Sequence, residues 1–158
     1  MQKITPFLWF DNQAEEAAKF YTSIFKKSKI TATTHYTGEE PVGKKGSVMT
    51  VSFELDGEEF VALNGGPRFK FTEAVSFVVN CETQEEVDYF WKALTADGGE
   101  ESRCGWLTDR FRLSWQIVPR IAIELLMDKD AAKARRVTKA IMEMSKINIA
   151  ELKRAARG

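Results

Sequence analysis

The fold is decided by residues 4–24, ITPFLWFDNQAEEAAKFYTSI, because a related stretch, AVSFVVNCETQEEVDYFWKAL, follows seventy positions later at residues 74–94. At this shift Phe7 falls on Phe77 and Tyr21 falls on Trp91. Each stretch has the pattern of a strand that leads into a helix. Because strand, helix start and aromatic pair recur in the same order, we infer an internal duplication.

Both helices begin with the pattern of a capping box. Asn12 precedes Glu15 by three residues, and Thr83 precedes Glu86 by three. In such a box the first side chain and the acid bond to free backbone N–H groups at the helix start. We therefore expect Asn12 and Thr83 to cap the two helices.

Short β signals complete each half of the chain. In the first half the predicted strands are 4–10, 30–36, 47–55 and 60–64, with a hairpin turn at Asp56-Gly57. In the second half they are 75–81, 100–104, 106–109 and 113–118. Each half is thus a β-α-β-β-β module, and the turn cluster Asn64-Gly65-Gly66-Pro67 joins the modules.

Beyond Pro119 the pattern is helical, over 121–127, 130–144 and 149–156. A length of 158 residues suits one domain, with modules at about 1–66 and 67–120 and a helical extension of the same domain at 121–158. The net charge is zero, but residues 129–158 carry nine basic and three acidic residues. We interpret this excess as the solvated face of an amphipathic helix that packs Val137, Ile141 and Met144 inward. A nucleic-acid partner is therefore not predicted.

The two cysteines, Cys81 and Cys104, are too few for a disulfide scaffold or for a zinc site built from cysteine alone. We predict two reduced thiols. The sequence has no targeting segment and no apolar run long enough for a membrane span. A cytoplasmic location without a membrane partner is therefore expected.

Alternation divides the strand residues between two faces of each sheet. The face toward the helices is predicted to be the apolar core, with Phe7, Trp9, Met49, Val51, Phe53, Leu55, Phe77, Val79, Trp115 and Ile117. The opposite face mixes polar and apolar residues, namely Pro6, Leu8, Phe10, Thr50, Ser52, Glu54, Ala62, Asn64, Ser76, Asn80, Ser114 and Gln116. That composition is typical of a ligand cavity, although a half-exposed sheet face or a dimer interface has the same composition.

Catalytic patterns are scarce. The single histidine, His35, has no neighbouring acid or cysteine motif, so we expect it to be structural. The sequence lacks a nucleophile elbow, H-E-x-x-H, Cys-x-x-Cys, a P-loop and G-x-G-x-x-G. Glu54 and Asp109 are candidate acids, but Asp109 falls where a hairpin needs a turn residue. No catalytic residue is assigned.

Three groups of segments resemble one protein family along nearly the whole chain. They are ITPFLWFD with AEEA and FY at 4–21, LNGGP with Phe69, Phe71 and AVSF at 63–77, and CGWLTD with SWQIVP at 104–119. The chain is similar to the PhnB-like proteins, many of which are labelled 3-demethylubiquinone-9 3-methyltransferase. This family lies in the vicinal oxygen chelate superfamily, with glyoxalase I, extradiol dioxygenases and bleomycin-resistance proteins. The resemblance implies an α+β fold of two paired β-α-β-β-β modules that curl around a cavity.

Enzymes of that superfamily usually hold a divalent metal with His and Glu side chains on equivalent strands. Carried over to this chain, those positions fall on Pro6 or Ile4 and on Ala62 or Asn64 in the first module. In the second module they fall on Ser76 and Gln116. None of these is a carboxylate or an imidazole, so no metal and no other cofactor is predicted.

The methyltransferase label implies a site for S-adenosylmethionine, but the sequence has no Gly-rich loop of the Rossmann kind. The family usually has Gly in the turn after Asp-x-Phe, where this chain has Arg112. That difference predicts either a turn without a left-handed residue or a strained turn, with a positive charge near the cavity mouth. Arg68 adds a second positive charge after the joint.

We therefore expect a metal-free small-molecule-binding protein, with its ligand in a cavity on the concave sheet face. The predicted polar anchors are Asn64, Ser76, Ser114 and Gln116, and the predicted apolar walls are Phe10, Phe69, Phe71 and Trp106. Open sheet edges predict a symmetric homodimer. The alternative is an enzyme: a methyltransferase, or a metal-dependent lyase or dioxygenase that uses Glu54 and His35 as unconventional ligands.

Overall fold

The computed structural model describes residues 1–158 and divides them into two compact units, Met1–Phe71 and Thr72–Gly158. Each unit contains one helix from the duplicated stretch and one four-stranded mixed sheet. The predicted α+β class and the two β-α-β-β-β modules are confirmed. Neither sheet closes into a barrel.

The first unit orders its strands β1-β4-β3-β2, with β1 parallel to β4 and the other pairs antiparallel. Its elements are β1 (Phe7–Phe10), α1 (Ala14–Ile24), β2 (Lys29–His35), β3 (Val48–Leu55) and β4 (Glu58–Asn64). The buried side of α1 supplies Ala14, Ala17, Ala18, Tyr21 and Ile24 to the core, and β3 supplies Val51, Phe53 and Leu55.

The predicted faces of β1 and β4 were wrong by one residue. Leu8 and Phe10 are buried, with 7% and 3% of their surface exposed, whereas Phe7 is 59% exposed. Leu8 pairs with Ala62, which is itself fully buried opposite Val51. Because 7–10 and 60–63 are apolar at every position, alternation carries no phase there, and strand pairing sets the buried face instead.

The start of α1 also differs from the prediction. Asn12 caps nothing; instead the Ala14 N–H donates to Oδ1 of Asn64 at 2.8 Å. Asn64 ends β4 beside Phe10 at the end of β1, and this position brings its amide to the first turn of the helix. In the second unit the predicted cap is confirmed, because the Glu86 N–H donates to Oγ1 of Thr83 at 3.2 Å.

The second unit orders its strands β5-β8-β7-β6, with β5 parallel to β8. Its elements are β5 (Ser76–Cys81), α2 (Gln84–Thr95), β6 (Glu100–Glu101), β7 (Trp106–Thr108), β8 (Ser114–Pro119), α3 (Arg120–Leu126), α4 (Ala131–Met142) and α5 (Ile149–Arg157). The predicted strand 100–104 stops at Glu101 because Cys104 and Gly105 turn the chain with positive φ. Their N–H groups bond to the carbonyls of Met144 and Ser145.

The three C-terminal helices share one apolar cluster. As predicted, Val137 and Met144 are buried and Ile141 packs against them. The other buried members are Ala122, Leu125, Ile147 and Leu152. A helix with charged residues on its outer face buries its apolar side in this way, so the basic residues of α4 and α5 lie on the solvent side.

Hydrogen bonds and an ion pair attach the connection between α4 and α5 to α2. The Gln84 amide donates to the carbonyl of Ile147 at 3.1 Å and accepts from the N–H of Ile149 at 2.8 Å. Lys146 Nζ lies 2.7 Å from Oδ1 of Asp88 on the next turn of α2. The helical extension is therefore an integral part of the second unit.

None of the five helices has the length and apolar character that a membrane crossing requires.

Candidate ligand-binding site

A polar row crosses all four strands of the second sheet. In the register of the sheet, Ser76 lies opposite Ser114, Ser114 opposite Thr108, and Thr108 opposite Glu100. Directly paired residues point to the same side of a sheet, so these four side chains lie on one face. We call this side of the second sheet the polar face.

A second row runs alongside the first on the polar face. Val78 pairs with Gln116, and Gln116 pairs with Trp106. Each lies two residues from a member of the first row on its own strand, which places both rows on one side. Four of the eight predicted ligand residues, Ser76, Ser114, Gln116 and Trp106, are therefore brought together.

Hydrogen bonding connects the two rows. Nε2 of Gln116 donates to Oγ of Ser76 at 2.9 Å. Ser114, between Ser76 and Thr108, is only 1% exposed, and its Oγ makes no hydrogen bond. The face thus combines a paired amide and hydroxyl with a buried hydroxyl that is unpaired.

This face also includes Thr108, Glu100 and Val78, which were not predicted to lie on it. Thr108 follows Trp106 by two residues, so alternation along β7 could have identified it. The face on which Val78 lies could not be predicted, because Phe77, Val78 and Val79 form an apolar run in which no alternation is visible.

An ion pair lies at the β6 end of the polar row. Nη1 of Arg112 is 2.8 Å from Oε1 of Glu100, and this contact raises the pKa of the guanidinium above its ordinary value. Arg112 has φ 71°, so the turn keeps the left-handed conformation although glycine is absent. Of the two predicted turns, the strained one is correct, and its positive charge is paired.

Asp109 organises the turn before β8 and does not face the polar rows. It is fully buried, and Oδ1 accepts from the N–H groups of Phe111 at 2.8 Å and Leu113 at 3.1 Å. Its Oδ2 accepts from the indole of Trp115 at 2.9 Å. Asp109 is thus the turn residue that its position predicted, and it places Ser114 and Gln116 at the start of β8.

The other four predicted ligand residues lie in the first unit. Phe10 is a core residue, and the ring of Phe71 packs edge-on against it at 5.2 Å between centroids. Phe69 packs in the same way against Trp9 at 4.9 Å. Asn64 was wrongly placed on the cavity face, because its amide is committed to Ala14 and, through Nδ2, to the carbonyl of Val48.

The glycine joint after β4 is occupied by a tryptophan of the same unit. Nε1 of Trp9 donates to the carbonyl of Gly66 at 2.9 Å. The indole lies so close to Gly65 that a Cβ there would be 2.4 Å from Cε2 of Trp9. Gly66 has φ 90°, which glycine adopts without strain. The glycines of the joint therefore allow the Trp9 indole to pack closely within the first unit.

The unconventional metal ligands considered for this chain do not meet. Glu54 pairs with Lys29 at one end of β2, and its carboxylate is 3.9 Å from Nζ of that residue. His35 lies at the other end, six residues and about 20 Å along the strand. The structure contains no group of three or more His, Cys, Asp or Glu residues placed to hold a metal.

Neither cysteine has the surroundings of an activated nucleophile. Burial raises the pKa of the Cys81 thiol to about 12, and the nearby Glu86 carboxylate adds to this shift. The thiol is therefore protonated at neutral pH. Cys104 lies at a left-handed turn, with its Sγ 3.6 Å from Sδ of Met142.

Comparison with known proteins extends the resemblance that the sequence suggested. The model of the family described as 3-demethylubiquinone-9 3-methyltransferase matches residues 2–118. The crystal structure of a Bacillus cereus PhnB protein, described as a 3-demethylubiquinone-9 3-methyltransferase, is 39% identical, with a TM-score of 0.66. The alignment covers 75% of this chain and 99% of the Bacillus protein.

Two more distant structures share the fold. A Pseudomonas aeruginosa protein is 20% identical over 75% of this chain and 98% of its own, with a TM-score of 0.61. The fosfomycin resistance protein FosX of Listeria monocytogenes, complexed with Mn(II) and sulfate, is 14% identical over 75% and 91%, with a TM-score of 0.52. No functionally curated protein matches the chain.

Proposed function

This chain belongs to the PhnB-like family described as 3-demethylubiquinone-9 3-methyltransferase, within the vicinal oxygen chelate superfamily, and from that premise we propose that it binds a small organic molecule without a metal. The proposed site is the polar face of the second sheet. The observation that carries the proposal is the Gln116–Ser76 hydrogen bond, which fixes an amide beside Trp106. A few fixed polar groups beside an aromatic side chain are the usual composition of a small-molecule site.

The residues at the superfamily's metal positions do not fit a divalent ion. In the second unit they are Ser76 and Gln116, a neutral hydroxyl and a neutral amide that bond to each other. In the first unit Ala62 is buried among core residues and Asn64 caps α1. Divalent cation sites in proteins usually include at least one carboxylate, imidazole or thiolate, and these positions offer none, so this donor set favours a metal-free site.

The methyltransferase description finds no support in the glycine joint that follows β4. A loop that binds S-adenosylmethionine needs glycines that are open to the cofactor. Here the indole of Trp9 covers Gly65 and bonds to Gly66. Binding without methyl transfer is therefore the function we propose.

We propose a homodimer in the cytoplasm as the working state. Phe7 on β1 and Val78 on β5 are large apolar residues that remain half exposed on strands at the edge of their sheets. Edge strands with apolar side chains favour closure by a second copy. The free thiols Cys81 and Cys104 are compatible with a reducing compartment.

Gln116→Ala tests the site. Because the variant removes the amide that holds Ser76, we expect at least a tenfold loss of affinity for any fragment bound at the polar face. The Tm should fall by less than about 4 °C, since Gln116 is only half buried. A library of aromatic fragments is screened by NMR, and binding is recognised from shifts of the Trp106 indole and Gln116 amide signals of the wild-type protein.

Gln13→Ala is the matched control, because Gln13 is a half-buried glutamine of the first unit whose side chain caps no helix. It should leave fragment binding unchanged. A library that produces no shifts at Trp106 or Gln116 would contradict the proposed site. Loss of folding in Gln116→Ala would identify Gln116 as a structural amide instead.

The untreated wild-type protein gives a second check. We expect elemental analysis to find less than about a tenth of an equivalent of any divalent metal, because the site offers no anionic ligand.

Sedimentation equilibrium should give twice the chain mass of 17.9 kDa. A stoichiometric metal would contradict the metal-free proposal, and a monomer mass would contradict the dimer. Titration with S-adenosylmethionine should release no heat of binding.

A further inference from the structure

We propose that the ligand group bound beside Ser114 is uncharged and both donates and accepts hydrogen bonds, as a primary amide or a hydroxy-ketone does. This inference rests on the proposed function, because it concerns the same polar face. It goes further by naming the chemical class of the ligand and by excluding carboxylates and phosphonates.

The hydroxyl of Ser114 on the polar face is unpaired. It is 1% exposed, and Oγ has no hydrogen-bond partner, although Ser76 and Thr108 lie directly beside it in the sheet. A buried polar group without a partner is rare and costs free energy. A ligand that displaces a neighbouring side chain and supplies a partner to this oxygen recovers that cost, and this recovery favours binding here.

The polar face offers no unpaired positive charge to an anion. Its two rows contain hydroxyls, one amide, an indole and an aliphatic side chain, and the one charged member is Glu100. Glu100 is paired with Arg112, so the guanidinium has its carboxylate partner already. An anion placed at Ser114 would therefore lose its hydration without gaining a cation.

Both hydrogen-bond donors and acceptors remain available on the polar face. After Nε2 of Gln116 donates to Ser76, the amide keeps its oxygen as an acceptor and one N–H as a donor. The hydroxyl of Ser76 accepts that bond and can still donate its own proton. A carboxylate can only accept, so it leaves the amide oxygen unpaired, whereas a primary amide satisfies both kinds of group.

The test uses aromatic fragments in matched pairs, in which one member carries a primary amide and the other a carboxylate on the same scaffold. One such pair is 4-hydroxybenzamide and 4-hydroxybenzoate. NMR titration of the full-length wild-type protein at pH 7.5 is expected to give at least tenfold tighter binding of the amide member. Equal or tighter binding of the carboxylates would overturn this inference and leave the proposed function standing. Absence of binding by every pair would overturn the proposed function itself.

Ser114→Ala separates a ligand contact from a structural role. Removing an unpaired buried hydroxyl should raise the Tm of the free protein by about 2–4 °C, whereas removing a structural hydrogen bond would lower it. The same variant should reduce the preference for amide over carboxylate at least threefold. Ser102→Ala, at an exposed serine of the same unit, is the control and should change neither value. A lower Tm in Ser114→Ala, or an unchanged preference, would overturn the inference.

Discussion

Asp109→Ala is expected to lower the free energy of unfolding by about 3–5 kcal/mol, the largest effect of any single substitution considered for the second unit. The fully buried carboxylate accepts from two backbone N–H groups and from the Trp115 indole. Alanine would leave these three donors, two of them buried, without an acceptor. Urea unfolding followed by tryptophan fluorescence measures the loss.

Two further variants show whether the loss comes from the hydrogen bonds of Asp109. Asp97→Asn removes the charge of an exposed aspartate whose ion pair with Arg110 is long, at 3.9 Å, and asparagine tolerates the left-handed backbone there, so it should cost less than about 0.5 kcal/mol. Asp109→Asn keeps the side-chain volume but places an amide N–H against one of the donors, so its loss should be intermediate. If Asp109→Ala costs less than about 1 kcal/mol, the carboxylate does not organise this turn.

Gly65→Ala should destabilise the first unit by about 2–4 kcal/mol. The new Cβ would lie 2.4 Å from Cε2 of Trp9. The indole cannot simply move away, because its N–H bonds to Gly66 and its ring packs against Phe69. Either the hydrogen bond from Trp9 to Gly66 breaks or the backbone of the glycine joint shifts, and both changes disrupt the end of β4. Urea unfolding of the full chain gives the change.

A double-mutant cycle with Trp9→Leu identifies the cause. If the clash with the indole is responsible, Gly65→Ala should cost at least 1 kcal/mol less in the Trp9→Leu background than in the wild-type protein. Equal costs in both backgrounds would show that the backbone at Gly65, and not Trp9, rejects the methyl group.

Sequence alone predicted the second unit better than the first, for a physical reason. In β8 the polar residues Ser114 and Gln116 alternate with Trp115 and Ile117, so the two faces are visible in the sequence. In β1 every residue is apolar, and the side that α1 covers depends on pairing with β4. The predicted polar face therefore needed only the addition of Thr108, Glu100 and Val78, whereas the first-unit residues needed reassignment.

Asn64 and Arg112 show what a local pattern cannot reveal. The helix start at Asn12 had the sequence of a cap, yet an asparagine fifty residues away performs that role, since β4 ends beside it. The left-handed turn at Arg112 survives the loss of glycine because Asp109 holds the backbone on both sides and Glu100 pairs with the guanidinium. Both outcomes depend on contacts between separate strands.

The attachment of the α4–α5 connection to Gln84 implies an order of events during protein synthesis. All strands and the helix of the first unit have been translated once residue 71 is made, so this unit can fold while the rest of the chain emerges. The second unit must wait, because α2 gains its partners at Ile147 and Ile149 only near the end of translation. Until Leu152 is added, the apolar sides of α3 and α4 lack the buried residue of α5. The second unit therefore has its complete apolar cluster only once α5 has been translated.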